Sequence, residues 1–466
     1  MYFLKKHIIS IFIILLLSTA CASYYKKMIQ YQGYITSGEF EKANKWLNDK
    51  EKKIKEKDRV LYYLDKGYVE RMVDNYAESN HYFQKADYYI EDFMKQPARE
   101  ALSLVTNPMV KPYEPEDFEK VMLHYYTSLN YLDLDNRDGA LVEARRINIK
   151  LNALNDKYKD HKNKYQRDAF AHVMMGLIYD AAADYNNAFI AYRNAYNIYR
   201  EDYTRSFGIG PPEILEKDLI RTAYMTGFFE EARQYEKETG FKFKNKKNDA
   251  ELVFFWLNGF GPVKEEWSVN FTTVKGKGGW INLVNKEYNL SFPFYTGDLS
   301  REEKKAFENF RIFRVAFPRY AERKPVFADA RFYVGKKSYS LEIAQDINQI
   351  AHKTLRDRMI REMANSLLRL ATKKALEAAA SKENEGLGAL VSITNAVTEK
   401  ADTRNWQALP YAIHYTRIPL FEGENKLILS VRDPNGRQKQ QEFMFQAKKG
   451  KTYFHSYHSL ESYPPR

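Results

Sequence analysis

Cysteine is almost absent from this chain of 466 residues, which has a single thiol, at Cys21. A mature protein without a further cysteine cannot form an internal disulfide bond. The folded parts of the chain must therefore depend on ordinary apolar cores for their stability.

Recognisable catalytic motifs are also missing. The sequence contains no HExxH, no GxSxG elbow and no dinucleotide-binding or kinase fingerprint. The glycine-rich segment Gly276–Gly279 lacks the strand, helix and lysine–hydroxyl spacing of a phosphate loop, so it predicts a hairpin turn or a loop. We therefore expect a protein that is not an enzyme and that has no catalytic residues, no metal and no cofactor.

A hydrophobic run long enough to stay in a membrane is lacking as well. Two lysines precede an apolar run from Ile8 to Leu17, and three small residues then lead to Cys21. A spanning helix needs about 20 apolar residues, and this run is shorter. The layout is that of a secretory signal peptide, so we expect residues 1–20 to be removed.

The end of this leader resembles the lipobox of bacterial lipoproteins. The residues are Leu17–Cys21, with Ser18 at the position where leucine is usual. The resemblance implies that the Cys21 thiol carries a diacylglyceryl group and becomes the new N-terminus. Two or three acyl chains hold a protein stably, whereas one chain gives an association constant of only about 10⁴ M⁻¹. The alternative is an unmodified, buried cysteine that follows an ordinary cleavage site.

Localisation and charge bear on the partners. Ala22 after the cysteine, instead of Asp, favours the outer membrane by the usual sorting pattern, with the protein facing the periplasm.

The formal net charge of +12 favours anionic envelope polymers or lipid headgroups as partners. An alternative source of that charge is the lysine-rich composition that AT-rich genomes produce. We expect no nucleic acid partner, because the chain has no recognisable binding module.

Residues 21–248 have apolar and aromatic side chains at helical spacing. The clearest unit has five members that we expect to pack two helices together, and their offsets resemble a tetratricopeptide repeat. These members are Gly176, Tyr179, Ala188, Tyr192 and Ala195. Weaker copies occur near Gly38, Gly67, Ala140 and Gly227, at uneven separations. The sequence predicts a repeat-like array with insertions, and a generic helical bundle is the alternative. Either fold leaves a curved surface for peptides or protein partners.

Several segments together resemble a family of uncharacterised bacterial lipoproteins. They are Tyr113–Glu119, Tyr125–Tyr131, Gly139–Arg146, Ala401–Pro410 and Tyr415–Arg417. The resemblance implies a tetratricopeptide-repeat-like N-terminal half and a β-rich C-terminal domain, and it brings no activity. Arg145 and Arg146 mark either a groove or ion pairs on the surface.

Residues 249–466 change to short aromatic and β-branched runs separated by turn residues, which predict strands. The predicted strands are Leu252–Trp256, Trp280–Val284, Arg311–Phe317, Phe327–Val334, Tyr411–Ile418, Lys426–Val431 and Gln441–Gln446. Asp433–Gly436 predicts a hairpin turn. The predicted fold class is α+β, with a helical repeat array followed by a mixed β-rich domain.

A helical insertion is predicted within the β-rich domain, over about residues 341–400. From Leu341 to about Lys382 apolar residues follow one stripe of a long amphipathic helix. We expect this stripe to pack against the sheet, and a membrane-surface or partner-helix role is the alternative. Gly386–Val397 predicts either a close-packed helix or a segment that inserts into an interface.

Candidate interaction residues in the second domain are Asp402, Arg404 and Trp406, because a clustered arginine and tryptophan often anchor interfaces. The alternative is a capped turn whose tryptophan fills the core. His455 and His458 would bind a metal only with distant carboxylates, and we expect them to be solvated in a tail.

The function hypothesis is a non-enzymatic, lipid-anchored envelope protein whose repeats recruit a protein partner. Assistance to cell-wall or outer-membrane assembly is a narrower version, based on analogy at the level of fold. The second hypothesis is a glycan- or lipid-binding protein, or a hydrolase, that uses residues 249–466. It requires a pocket with converging carboxylates or histidines.

Overall fold

The structure is a computed structural model that covers most of the chain. It describes residues 23–94, 109, 111–157, 165, 167–244, 248–295, 312–359, 363–364, 366–367 and 401–466. The predicted signal peptide 1–20, the predicted lipidation site Cys21 and the predicted segment Gly386–Val397 lie outside the described residues.

Helical hairpins make up the first half of the described chain. The five hairpins are α1 (Ile29–Thr36) with α2 (Phe40–Asn48), α3 (Arg59–Met72) with α4 (Tyr76–Met94), α5 (Asp117–Asp133) with α6 (Arg137–Lys157), α7 (Ala169–Ala181) with α8 (Tyr185–Ile198), and α9 (Glu213–Met225) with α10 (Phe229–Thr239). Shorter helical turns are Tyr24–Lys27, Glu51–Lys53, Glu56–Asp58, Tyr199–Tyr203 and Thr204–Phe207.

One type of turn joins the two helices in every hairpin. The residue two positions before each second helix has a positive φ, at Gly38 (75°), Asp74 (61°), Asp135 (54°), Ala183 (59°) and Gly227 (84°). The amide of the following residue then donates to the carbonyl five residues earlier, as from Asn75 to Glu70. This is the Schellman arrangement, which satisfies free carbonyls at the end of a helix. Its repetition supports a repeat array over a generic bundle.

Small residues allow the paired helices to approach each other. A methyl group at Gly67 or at Gly176 would overlap the ring of Phe83 or of Tyr192, respectively. Gly38 and Gly227 have a different role from Gly176, because they occupy the turn and not the helix crossing. The predicted weak copies are nevertheless in register with the clearest unit at its buried small residue, because Ala43, Ala140 and Ala232 stand three residues after the start of their second helices, as Ala188 does.

Three four-stranded sheets follow the hairpins. The strands are β1 (Ala250–Asn258), β2 (Val263–Lys275), β3 (Trp280–Asn285), β4 (Leu290–Tyr295), β5 (Ile312–Ala321), β6 (Asp329–Val334), β7 (Lys337–Ser340), β8 (Glu342–Asp346), β9 (Ala412–Leu420), β10 (Gly423–Arg432), β11 (Gln438–Ala447) and β12 (Thr452–Ser459). The first sheet has the order β12-β1-β9-β8, the second β11-β10-β6-β7, and the third β4-β3-β2-β5. The predicted α+β class is confirmed.

Strand β1 is buried on both of its faces. Val253, Phe255 and Leu257 join the apolar core of the helical array, whereas Phe254 and Trp256 pack towards the second sheet. The first sheet is therefore a middle layer between the helices and the second sheet. A continuous apolar run is typical of a strand in such a position.

The amphipathic helix of the second half, α11, begins later than predicted. Glu342–Asp346 forms strand β8, and α11 covers residues 347–359. The Asp346 carboxylate accepts a hydrogen bond from the Gln349 amide at 2.7 Å, so it caps the helix. The start expected at Leu341 is therefore wrong. Ile347, Ile350 and Leu355 are buried, as expected for a helix packed within the domain.

The C-terminal histidines are not in a solvated tail, so that expectation is wrong. They belong to β12, which pairs in parallel with β1 along its whole length. The pairing partner of β12 is about 200 residues earlier in the chain. Sequence periodicity does not show such a pairing. Among the helices of the described residues, none has both the length and the hydropathy needed to cross a membrane.

Candidate functional site

The inner face of the helical array is covered by the chain's own β-rich half. The first helix of every hairpin makes such a contact. Gln32 of α1 bonds Gln407 at 3.0 Å, Tyr68 of α3 bonds His458 at 3.1 Å, Glu119 of α5 accepts from the Trp406 amide at 2.7 Å, Phe170 of α7 packs on Phe255, and Asp218 of α9 pairs with Arg417 at 3.1 Å. The curved surface that we expected to bind a partner is therefore occupied internally.

Arg417 of β9 is the centre of the largest charge cluster at this internal interface. Its guanidinium pairs with Asp180 at 2.6 Å, with Asp218 at 3.1 Å and with Glu251 at 2.5 Å. Arg221 pairs with both aspartates as well. Burial raises the pKa of the Asp180 carboxyl, but the two arginines overcome this effect and the pKa lies below its ordinary value. The cluster joins α7 and α9 to the first sheet.

A second buried charge cluster joins α5 to the third sheet and to α11. Glu116, at the N-cap of α5, pairs with Lys264 of β2 and with Arg358 of α11. Burial raises the pKa of Glu116, but the two cations overcome this and lower it to about 2. The carboxylate is therefore ionised at neutral pH and holds three elements together.

The candidate interaction residues Arg404 and Trp406 are both buried. Arg404 pairs with Asp402 at 2.7 Å and also donates to the carbonyls of Lys57 and Lys111. The Trp406 ring lies 5.5 Å from that of Tyr126. The structure thus brings these residues against the helical array, in agreement with the interpretation of a capped turn with a core tryptophan. An external partner would not reach Arg404 or Trp406.

The predicted repeat-packing residues lie together in the fourth hairpin. The Tyr192 ring covers Gly176, and Ala188 and Ala195 are fully buried. Tyr179 is half-buried and accepts a hydrogen bond from Arg145 of α6, so it contacts the neighbouring hairpin. Arg146 pairs with Glu143 at 3.3 Å. Both arginines therefore make contacts within the array.

A cleft of about 420 Å³ lies between the first two hairpin turns and strand β12. Two of the charged groups that line it form ion pairs, Lys439 with Glu461 at 2.5 Å and Arg71 with Asp133 at 2.8 Å. Asp74 accepts a hydrogen bond from the Tyr76 hydroxyl at 2.7 Å. His458 accepts from Tyr68 and donates to the Gly259 carbonyl at 2.7 Å. The cleft offers a binding surface, but its described side chains form no histidine–carboxylate dyad.

Histidine–carboxylate pairs within 4 Å involve His124 alone among the described residues. His124 is buried between α5 and α6, 2.8 Å from Glu143 and 3.9 Å from Asp87. Over the same residues no group of three potential ligands from His, Cys, Asp and Glu is arranged to hold a metal ion.

Apolar side chains remain exposed at the turn of the fifth hairpin. Met225, Phe228 and Phe229 are 46%, 37% and 52% exposed, and we call them the fifth-hairpin patch. The Phe228 ring stacks on Phe189 at 5.0 Å, so the patch rests on a rigid helix crossing. Contiguous exposed apolar residues are typical of protein interaction sites.

The internal ion clusters were not predicted from the sequence. A signal for one of them exists, because Arg417 is a charge within the otherwise apolar strand Ala412–Leu420. A charge in such a place needs a buried partner. The sequence does not indicate which residues are the partners, since Asp180 and Asp218 lie more than 190 residues earlier in the chain.

Comparisons with known proteins give low similarity. No family model matches the chain, and no curated protein matches it. The crystal structure of the MamA protein has 16% identity and a TM-score of 0.28, over 46% of this chain and 87% of that one. The crystal structure of BtubC (BKLC) from P. vanneervenii has 11% identity and a TM-score of 0.29, over 46% and 80%.

Proposed function

We propose that this protein is a non-enzymatic scaffold of the bacterial cell envelope, anchored by lipid on Cys21, whose helical array binds a protein partner through its outer surface. The anchor would place it at the outer membrane, facing the periplasm. The narrower role, in cell-wall or outer-membrane assembly, is part of this proposal.

The fifth-hairpin patch is the observation that carries the proposal. Because the inner face of the array is filled by the first sheet, a partner must use the second helices and the turns. At the last turn Met225, Phe228 and Phe229 expose apolar area next to a rigid aromatic stack. Aromatic and methionine side chains are enriched at protein interfaces, and burial of their apolar area stabilises a complex.

The alternative is a glycan- or lipid-binding protein, or a hydrolase. The structure gives less support to hydrolysis than to binding. In the cleft beside β12, Lys439 pairs with Glu461, and Arg71 pairs with Asp133. A general acid or base needs a side chain that can reach a substrate proton. Binding without hydrolysis remains compatible with the cleft.

Site-specific photocrosslinking in cells tests the scaffold proposal. A photoreactive residue at position 229 should give a crosslinked product of discrete mass, whereas one at position 421, at the exposed Phe421 between β9 and β10, should not. A second probe at position 228 is used for the double variant, because the variant changes position 229. Met225→Glu with Phe229→Glu should reduce the crosslinked product from position 228 at least about tenfold, since each hot-spot residue contributes about 2 kcal/mol. An undiminished product in that variant would refute the patch.

The anchor is tested in the same cells with Cys21→Ser. We expect the wild type to fractionate with membranes and to carry acyl mass on its first residue, and the variant to do neither. A mature protein that begins elsewhere, or that lacks acyl mass at Cys21, would contradict the anchor and leave the patch result unaffected.

A further inference from the structure

The free end of the third sheet carries a group of exposed apolar side chains. Val274, Trp280 and Tyr295 are 46%, 46% and 53% exposed. Trp280 pairs with Tyr295 across β3 and β4, and their ring centroids are 5.2 Å apart. Val274 pairs with Asn282, two residues after Trp280, so all three side chains share one face. We call this face the sheet-end patch.

The opposite face of the same strands is an ordinary core. Phe271, Ile281, Leu283 and Phe292 are buried there, against side chains of the segment that follows α11. The sheet therefore does not need the sheet-end patch for its own packing. A large aromatic ring left outside a filled core points to a contact with something else.

The charge near the sheet-end patch is mainly positive. Lys275 ends β2 and Lys277 lies in the turn before Trp280, whereas Lys286 and Glu287 lie in the turn at the other end of β3 and β4. Lys277 is exposed in the turn that carries Trp280. Tryptophan and tyrosine favour the interface of a bilayer, where a ring is partly buried and its polar atom is hydrated, while lysines attract anionic headgroups.

The first described residues, which follow the predicted mature N-terminus at Cys21, lie against the strand that leads to this patch. The helical turn Tyr24–Lys27 contacts β2, and the Tyr24 amide donates to the Thr403 hydroxyl at 3.0 Å. Ala401, close by in sequence, donates from its amide to Glu266 of β2 at 3.1 Å. From Glu266 to Val274 the strand extends about 27 Å, at roughly 3.4 Å per residue. Ser23, the first described residue, is two positions from Cys21.

The residues beside that N-terminus are themselves suited to a membrane surface. Lys26 and Lys27 are exposed, and so is the apolar Ile29. One strand thus connects two basic and apolar surfaces, the first next to the acylation site and the second at the end of the sheet.

We propose that the sheet-end patch is a second membrane contact, which inserts Val274, Trp280 and Tyr295 between anionic lipid headgroups. This proposal rests on the lipid anchor proposed above. The acyl group would hold the chain at the membrane, and the patch would set its orientation. Lipid is favoured over a glycan because the lysines complement phosphate headgroups, and a neutral sugar gains nothing from them.

The test uses the mature chain, residues 21–466, with Cys21→Ser, so that no acyl chain contributes. Binding is measured to vesicles of phosphatidylcholine with and without phosphatidylglycerol. We expect saturable binding that needs phosphatidylglycerol, with quenching of tryptophan fluorescence by doxyl-labelled lipid. Trp280→Phe should keep the binding and lose most of the quenching, because Trp280 is the most exposed of the five tryptophans: Trp46 and Trp267 are half-buried, and Trp256 and Trp406 are buried.

Variants locate the contact. Trp280→Ala with Tyr295→Ala should weaken vesicle binding at least about tenfold, and Lys277→Ala should weaken it on the order of fivefold. Phe421→Ala is the matched control, since Phe421 is an exposed aromatic residue in the turn between β9 and β10, outside the third sheet. Far-ultraviolet circular dichroism verifies that each variant is folded. If the double variant does not fold, Lys277→Ala alone still tests the contact.

Three results would overturn the membrane contact. They are equal vesicle binding by the double variant and the wild type, quenching that persists in Trp280→Phe, and binding of the patch to soluble envelope glycan in place of vesicles. None of these depends on acylation, which mass spectrometry of the wild-type protein decides separately.

Discussion

His458 illustrates how burial sets the chemistry of single residues in this protein. Its two ring nitrogens bond the Tyr68 hydroxyl and the Gly259 carbonyl, so the neutral imidazole is fully satisfied. Burial lowers its pKa from the ordinary 6.5 to about 4. His458 therefore has a structural role as a buried, neutral imidazole. The sequence, with two histidines three residues apart, did not indicate this burial.

Acid should therefore weaken the fold through His458. Between about pH 6.5 and pH 4 the unfolded chain binds a proton that the folded chain does not, so stability is present above this window and is lost as the pH falls through it. We expect the free energy of unfolding to fall by about 2 kcal/mol from pH 7 to pH 5 on account of this residue.

Urea unfolding at the two pH values measures this effect. His458→Gln should lower the stability at pH 7 and should remove this part of the pH dependence. His81→Gln, at an exposed position, is the control and should leave the dependence as in the wild type. An unchanged pH slope in the His458 variant would exclude this explanation.

At the scale of elements, the recurring turn is the feature that defines the hairpins. Glycine occupies its positive-φ position in the first and the fifth hairpin, whereas Asp74, Asp135 and Ala183 occupy it in the others. Aspartate adopts this conformation more readily than alanine does. Ala183 is therefore the strained member of the set.

Ala183→Gly should stabilise the protein by about 1 kcal/mol, since the left-handed conformation costs alanine roughly 1–2 kcal/mol and the added entropy of glycine removes part of the gain. The reverse substitution, Gly227→Ala, should destabilise by a similar amount, because space for the methyl group is open and only the backbone conformation opposes it. Thermal unfolding of both variants tests this. Shifts of the same sign would contradict the turn assignment.

At the scale of the whole molecule, the helical array and the β-rich half are parts of one packed structure. The largest apolar core includes Tyr192 and Phe170 from the helices and Phe255 and Tyr415 from the first sheet. The core therefore runs across the predicted domain boundary at residue 248. The ion cluster at Arg417 lies on the same interface.

Arg417→Met should destabilise the protein by about 3–5 kcal/mol, because Asp180, Asp218 and Glu251 would lose their main buried partner. Arg167→Met is the matched control, since Arg167 pairs with Glu201 and Asp202 at the surface, and its cost should stay below about 1 kcal/mol. Denaturant unfolding followed by tryptophan fluorescence and by circular dichroism measures both. Equal losses in the two variants would show that the cluster does not join the halves.

Local patterns in the sequence were sufficient for much of the fold. Apolar residues at helical spacing predicted the hairpins, and Gly176 with Tyr192 predicted one helix crossing. The continuous run Leu252–Trp256 predicted a strand, and alternation predicted β10. These features depend on interactions between residues that are near each other in the chain, or on burial alone, so periodicity records them.

Long-range pairing was beyond such patterns. Strand β2 is polar over much of its length, and β12 was expected to be a tail, because each is stabilised by a strand distant in sequence. The same applies to the candidate site. Arg404 and Trp406 were predicted as interaction residues, with a capped turn and a core tryptophan as the alternative. Their buried partners Lys57 and Tyr126 lie 347 and about 280 residues away.

The sequence by itself determined the class of the fold, most of its elements and the small residues at one helix crossing, since these follow from side-chain periodicity and size. Only the tertiary structure decided that the first sheet fills the inner face of the helical array and which surfaces stay open. Complementary packing and the pairing of buried charges across hundreds of residues select that arrangement, and neither is written in the order of neighbouring side chains.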